Sequence, residues 1–497
     1  MDMFGGLTKT SSRIAIAAAF GLMLGGYALS SGPAVAADFG GDCCADLEER
    51  VAELEATTVR KGNKKVSVTL SGWVVKTVSW WDDGDISEAH VGDKDADLTS
   101  RFAITGSATI APGWSGGYNI TVTVPGAFAG QIEDGNVFGI NSDQINEDSG
   151  LLSGINTLYS YMYVKSDSYG AINWGYLSPA SDNPAVLADL SGTVIESNGV
   201  WFEGSGFFLR PKGGGPGLAG LSGLTTPVQC NSGVGNIGVD CYGAPQSGVR
   251  YDSPTWGGFR FEASWTEFIE SLSVVSAALP NVDAYDVAVF YNGDWGNFKV
   301  SAAYSYTHMD GNLLVATDFG ADVDLHQVGA TLMHVPSGLG LYGMYQNDAL
   351  DGSFINPFSG AAQGFADTDA WYLKPFIKRT WNPAGATVLY GEYGQYNDQL
   401  NNLSGNNLCG LQVAGTTAGN FCTTNGNIFA TGSEVERWGL GVVQEIDSAA
   451  MHLFARWQHS DVSIDFEGLN LGNLEVQRVG QGFDDLDIFQ VGGIIFF

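Results

Sequence analysis

DIFQVGGIIFF, residues 487–497, decides the fold. Phe489, Val491, Gly493, Ile495 and Phe497 alternate with Ile488, Gln490, Gly492, Ile494 and Phe496. A period of two reads as a β-strand, and the sequence stops on its aromatic residue. An apolar strand left as an open edge in water invites aggregation. In a bilayer every backbone polar group must be paired internally, and a closed barrel achieves this by joining its last strand to its first. The segment therefore predicts an all-β barrel whose seam places 487–497 beside 66–81.

The first wall segment has the matching pattern. Val66, Val68, Leu70, Val74, Val78 and Trp80 share one parity; Ser67, Thr69, Ser71, Thr77 and Ser79 share the other. Apolar side chains on one face and polar ones on the other suit a wall between lipid and water. Lys76 interrupts the apolar face, which fits a subunit interface or a rim. The pattern recurs at 101–111 and 118–124. Further strands read at 157–166, 169–177, 246–254, 257–267, 283–292, 296–308, 322–335, 339–347, 369–381, 386–397, 433–446, 449–461 and 485–497. The expectation is a 16-stranded antiparallel transmembrane β-barrel spanning 65–497. Its connections alternate: short near 112–117, 167–168, 255–256, 293–295, 336–338, 382–385 and 447–448, long near 82–99, 125–156, 178–245, 268–282, 309–321, 348–368, 398–432 and 462–484. Short periplasmic turns and long outer loops are the outer-membrane arrangement.

Composition agrees with a wall that is wet on one side. The chain of 497 residues has 69 Gly, 12% aromatic and 15% charged residues, and a mean hydropathy of +0.02. The formal charge is −32 and no basic stripe exists to neutralise phosphates, so nucleic acid is excluded as a partner. The acidic excess is either a field that gathers cations at an opening or a set of mutually repelling loops. Residues 1–36 read as a signal peptide: Lys9 and Arg13, an apolar run 14–29, then Ala34-Val35-Ala36 before the cut. The rival, a membrane anchor, is short of the ~20 apolar residues a helix needs and is broken by Gly25, Gly26 and Pro33.

Export fits the six cysteines. Cys230 with Cys241 and Cys409 with Cys422 are two local disulfides in the simplest pairing. A zinc site is the alternative, but no His accompanies either pair. Cys43 and Cys44 are adjacent and pair poorly with each other; they are reduced or link chains. Within 37–64, Cys44, Leu47, Val51, Leu54 and Thr58 form a short a/d seam. This predicts a short periplasmic N-terminal helix, either an aid to oligomerisation or a solvated linker.

The longest connection, 178–245, is apolar and Gly-rich, and is expected to fold inward as a constriction loop. Asn183 could cap, and Pro184 begin, a short helix. Asp182, Asp189 and Glu196 would share a helical face if it held that far, with Glu203 at the next interval. Strand parity turns Arg101, Arg250, Arg260, Lys299, Arg437 and Arg456 inward. Acids facing bases at a constriction would orient polar solutes and exclude apolar ones. Each Arg could equally serve as a structural partner of a wall acid such as Glu262 or Glu392.

Three segments carry a resemblance. CCADLEERVAELEATTVRKGNKKVSVTLSGWV (43–74) resembles the mature N-terminus of alphaproteobacterial porins of the rhizobial and Brucella type. YVKSDSYGAINWGYLSPA (163–180) and GVRYDSPTWGGFRFEASW (248–265) resemble the segments before and after the constriction loop of that family. The resemblance implies a homotrimer in outer-membrane lipid that passes small hydrophilic solutes and ions by passive diffusion, without cofactors. It also implies an acidic loop at Asp182, Asp189, Glu196 and Glu203 facing a basic wall at Arg101, Arg250 and Arg260. Phe497 resembles the signal read by the outer-membrane assembly machinery. The acidic excess predicts a weak cation preference. The alternatives are a structural protein tethering the membrane to peptidoglycan through the N-terminal helix, and a solute-specific channel. Enzymatic readings fail on inventory. His90, His308, His326, His334, His452 and His459 form no metal-protease motif. The one GxSxG string, around Ser115, lies in a hairpin turn and not between a strand and a helix.

Overall fold

The computed structural model describes residues 65–497 except 85, 95–98, 125–154, 183, 198–206, 211, 213–218, 221–244, 269–281, 310–321, 352, 356–361, 365–366, 400–427 and 471–474. The expected signal peptide, the expected N-terminal helix with its tether, Glu203 and all six cysteines lie outside the described residues.

Sixteen strands form the wall: β1 (Ser67–Asp82), β2 (Ser100–Ala111), β3 (Trp114–Val124), β4 (Asn156–Ser166), β5 (Gly170–Leu177), β6 (Gln246–Asp252), β7 (Phe259–Phe268), β8 (Val282–Trp295), β9 (Phe298–Met309), β10 (Asp322–His334), β11 (Leu339–Asp351), β12 (Thr368–Asn382), β13 (Gly385–Asn397), β14 (Ile428–Ile446), β15 (Met451–Asn470) and β16 (Leu486–Phe496). Each pairs antiparallel with its sequence neighbours. Two shorter strands, Ser87–Gly92 on β1 and Glu475–Gly482 on β15, extend the sheet beyond the wall. The ring closes through β1 and β16, in register from Trp73 opposite Phe496 to Asp82 opposite Asp487. Gly72 and Phe497 complete the seam by exchanging backbone hydrogen bonds at 2.9 and 3.1 Å. The expected partner of the closing strand is thus the observed one.

Side chains opposed across an antiparallel pair point to the same side of the sheet. Following the register from β1 around the ring returns to the same face: Gln490 on β16 opposes Ser79 and donates to its hydroxyl at 3.0 Å. Val75, Thr77, Ser79 and Trp81 are buried on this inward face, while Leu70 and Val74 of the opposite parity are exposed. Leu341, Leu373, Leu389 and Leu440 continue the exposed apolar band. Trp114, Trp256, Trp295 and Trp381 lie exposed beside the short turns, where an aromatic girdle meets the membrane interface.

Two readings of the sequence shift. The segment 114–117 is strand and not turn, with the reversal made at Gly113 in the left-handed region (φ 76°). The β11, β14 and β15 strands run past the expected ends into the outer connections, where both faces are wet and alternation no longer marks a strand.

Candidate functional site

The inward face carries charges from every quarter of the ring. Arg101 lies opposite Trp73 and stacks on its ring, 4.4 Å from the centroid. Arg250 donates to Asp252 at 2.7 Å and to the Ser178 carbonyl at 2.7 Å. Arg260 pairs with Glu262 at 2.9 Å and covers the Phe290 ring at 4.4 Å. Lys299 is exposed, opposite Asp294. Arg437 and Arg456 are both buried; the first donates to Gln458 and the second to Gln490. All six sit on the inward parity, and several are held in bonds to wall neighbours.

The first described residues of the 178–245 connection are 178–182 and 184–197. Pro184–Leu187 is one helical turn, with Pro184 at its first position as the sequence indicated. The turn ends there, so Asp182, Asp189 and Glu196 do not share a helical face; Gly192 takes φ 83°. Their partners differ. Asp182 accepts from the Ser178 hydroxyl. Asp189 pairs with Lys374 of β12 at 2.9 Å, both side chains almost fully enclosed. Lys374 also donates to the Thr193 hydroxyl at 3.1 Å and to the Ser197 carbonyl. Glu196, only 1% exposed, bonds His452 of β15 at 2.5 Å.

Other ties in this segment are made by its backbone and hydroxyl groups. The Ala180 amide donates to Ser264 of β7 at 2.8 Å, and the Ser181 hydroxyl to Asp286 of β8 at 2.5 Å. Thr331 of β10 donates to the Ala188 carbonyl at 2.7 Å. Tyr342 of β11 donates to the Ala185 carbonyl at 2.9 Å. The Ser197 hydroxyl donates to Glu392 of β13 at 2.5 Å; Glu392 also receives Tyr372 at 2.6 Å and Gln458 at 2.7 Å. Gly329 gives the helical turn its room: a Cβ there would stand 2.1 Å from the Ala185 carbonyl oxygen.

Farther along, Arg210 pairs with Asp83 at 2.7 Å and Phe207 packs edge-on against Trp81. Sequence reasoning passed over Lys374, and with it Tyr342 and Lys378, which pairs with Glu445 at 2.7 Å. Parity alone could have placed Lys374, because it shares a face with Tyr372 and Phe376 while Trp371 and Leu373 face outward. No cluster fit to hold a metal occurs among the described residues.

A family model described as Gram-negative porin matches residues 17–463. The chain belongs to that family. Among curated proteins none matches by sequence. Similar solved structures include an anion-selective porin from Comamonas acidovorans, 16% identical over 87% of this chain and 100% of that one, with a TM-score of 0.48. In vitro folded OmpT of Vibrio cholerae is 13% identical over 88% and 99%, with a TM-score of 0.47. A mutant porin of Rh. blastica is 12% identical over 86% and 100%, with a TM-score of 0.41. As a Gram-negative porin the chain is a β-barrel of the outer membrane and a passive diffusion channel, not an enzyme.

Proposed function

We propose that this porin is a homotrimeric general-diffusion channel of the alphaproteobacterial type, narrowed by an inward-folded 178–245 connection and weakly selective for cations. The observation that carries the constriction is the set of hydrogen bonds from Ser178–Ser197 to side chains of inward parity on β6, β7, β8, β10, β11, β12, β13 and β15. A segment lying within the ring would reach all of these. Residues 178–182 start from the β5–β6 side, and Phe207 packs on Trp81 of β1 while Arg210 pairs with Asp83, so the described residues of the connection follow the wall. Asp189 and Glu196 act here as anchors; the field across the lumen comes from Arg101, Arg250, Arg260 and Lys299 against Asp252 and Glu262.

The ion preference follows from charge balance. Arg250–Asp252, Arg260–Glu262, Lys374–Asp189 and Lys378–Glu445 are paired within the wall and add no net charge to the lumen. The excess behind the net charge of −32 then acts at the mouth, where it concentrates cations. The homotrimer rests on the resemblance of 43–74 to alphaproteobacterial porins and is tested by cross-linking of the membrane-extracted protein. The channel is tested in planar bilayers: steady ohmic conductance with a cation-signed reversal potential in a KCl gradient is expected. Insertion without conductance would overturn the proposal.

A further inference from the structure

We propose that the lumen wall carries a saccharide-binding track on β4, made of Tyr159, Tyr161 and Tyr163; the inference rests on the channel reading above. The three tyrosines occupy alternate positions of one strand, so they face the same way. Their register partners on β3 are Thr121, Asn119 and Gly117, which continue the inward face of Arg101 and Trp73. The column therefore looks into the ring. Aromatic girdles of outer-membrane barrels face lipid, so membrane anchoring does not account for it.

Within the sheet, small or polar residues flank the rings on the two neighbouring strands. Gly117, Asn119 and Thr121 stand on one flank, Asn173 and Gly175 on the other. All three tyrosines are only partly buried. Gly117 shows how one ring lies: a Cβ there would meet the Tyr163 hydroxyl at 2.4 Å and its Cζ at 2.5 Å. The hydroxyl end of the Tyr163 ring thus lies over the glycine. Tyr161 is oriented by its hydroxyl, which receives Asn119 at 3.3 Å, while Thr121 donates to the Asn119 carbonyl at 2.8 Å. Successive inward residues of a strand lie about 6.6–6.8 Å apart, so the column runs about 13 Å along β4.

The polar groups around the rings define the ligand class. Asn119, Thr121 and Thr123 line one side. Asn173, which donates to Asp252 at 2.9 Å, and Arg250 line the other. Flat apolar faces bordered by hydrogen-bonding side chains match a pyranose ring, which offers a C–H face for stacking and hydroxyls at its edge. A small inorganic ion gains little from the ring faces, and a hydrocarbon gains nothing from the border. Alternate stacking positions would pass a linear saccharide from one ring to the next, each contact weak enough to release it.

The test is single-channel recording of the full protein with a linear glucose hexasaccharide added to one side. Concentration-dependent, saturable interruptions of the current are expected. Tyr161→Ala and Tyr163→Ala should each weaken the half-blocking concentration by about 3- to 10-fold. Tyr161→Phe, which keeps the ring, should stay within about 2-fold, and Tyr393→Ala, on the outward face, should match the parent. A parent channel that conducts KCl but shows no saccharide block overturns the track while leaving the channel reading intact; absent conductance overturns the channel reading itself. Block that survives Tyr161→Ala and Tyr163→Ala together, or block by an aromatic sulfonate with none by the saccharide, also overturns it.

Discussion

Replacing Lys374 with Met tests the anchoring of the constriction. The Lys374 ammonium is fully enclosed and bonds Asp189, Thr193 and the Ser197 carbonyl at once. Methionine keeps most of the volume and removes the charge. Asp189, with 1% of its side chain exposed, would then be a buried carboxylate without its cation, at a cost of about 3–5 kcal/mol. The remaining ties of residues 185–197 are Tyr342 to Ala185, Thr331 to Ala188 and the Leu190 amide, Ser197 to Glu392 and His452 to Glu196. Each contributes about 0.5–1.5 kcal/mol, and somewhat more where a charged group takes part. Their sum is of the same order as the penalty. The seated and released positions of the loop should therefore come within a few RT of each other.

The variant should insert normally, because Lys374 contributes nothing to the outer face or the seam. Its single-channel current should be larger on average and should fluctuate on the microsecond-to-millisecond scale of loop motion. Adding Asp189→Leu removes the stranded carboxylate and should quiet the current again, a coupling of at least about 2 kcal/mol in a double-mutant cycle on the open-to-seated ratio. If Lys374→Met gives the parent conductance and noise, the loop is not held by this pair and the reasoning fails.

Gly329→Val perturbs the same loop without touching a charge. Its side chain would occupy the place of the Ala185 carbonyl, so the helical turn must lift and conductance should rise, as read in planar bilayers. Deleting Phe497 removes both backbone hydrogen bonds to Gly72 at the seam; the yield of inserted barrel in cells should fall while the conductance of what inserts stays at the parent value. An undiminished yield would count against its role in assembly. The cation-signed reversal potential should shrink as salt rises from 0.1 to 1 M, since the Debye length falls from about 10 to about 3 Å; a salt-independent potential would locate selectivity in the lumen instead of at the mouth.

What the sequence made legible was whatever depends on neighbours along the chain. Parity put Arg101, Arg250, Arg260, Lys299, Arg437 and Arg456 inward, and alternation with turn residues marked every wall strand. It misjudged 114–117 because Gly116 and Gly117 read as turn residues, although Gly117 lies in a strand to make room for the Tyr163 ring. That need comes from a residue on another strand and leaves no mark on the local pattern. The same limit applies to the acids of the third connection. Asp189 and Glu196 were visible as charges, but Lys374 and His452 lie far off in sequence, and only closure of the ring brings each pair together. Composition counts every charge as if it faced solvent. Here Asp189, Glu196, Lys374 and Arg437 are buried and bonded, so the field a solute meets is set by fewer groups than the sequence offers. That subtraction leaves the aromatic column on β4 as a larger share of the accessible lumen chemistry than charge counting would assign it.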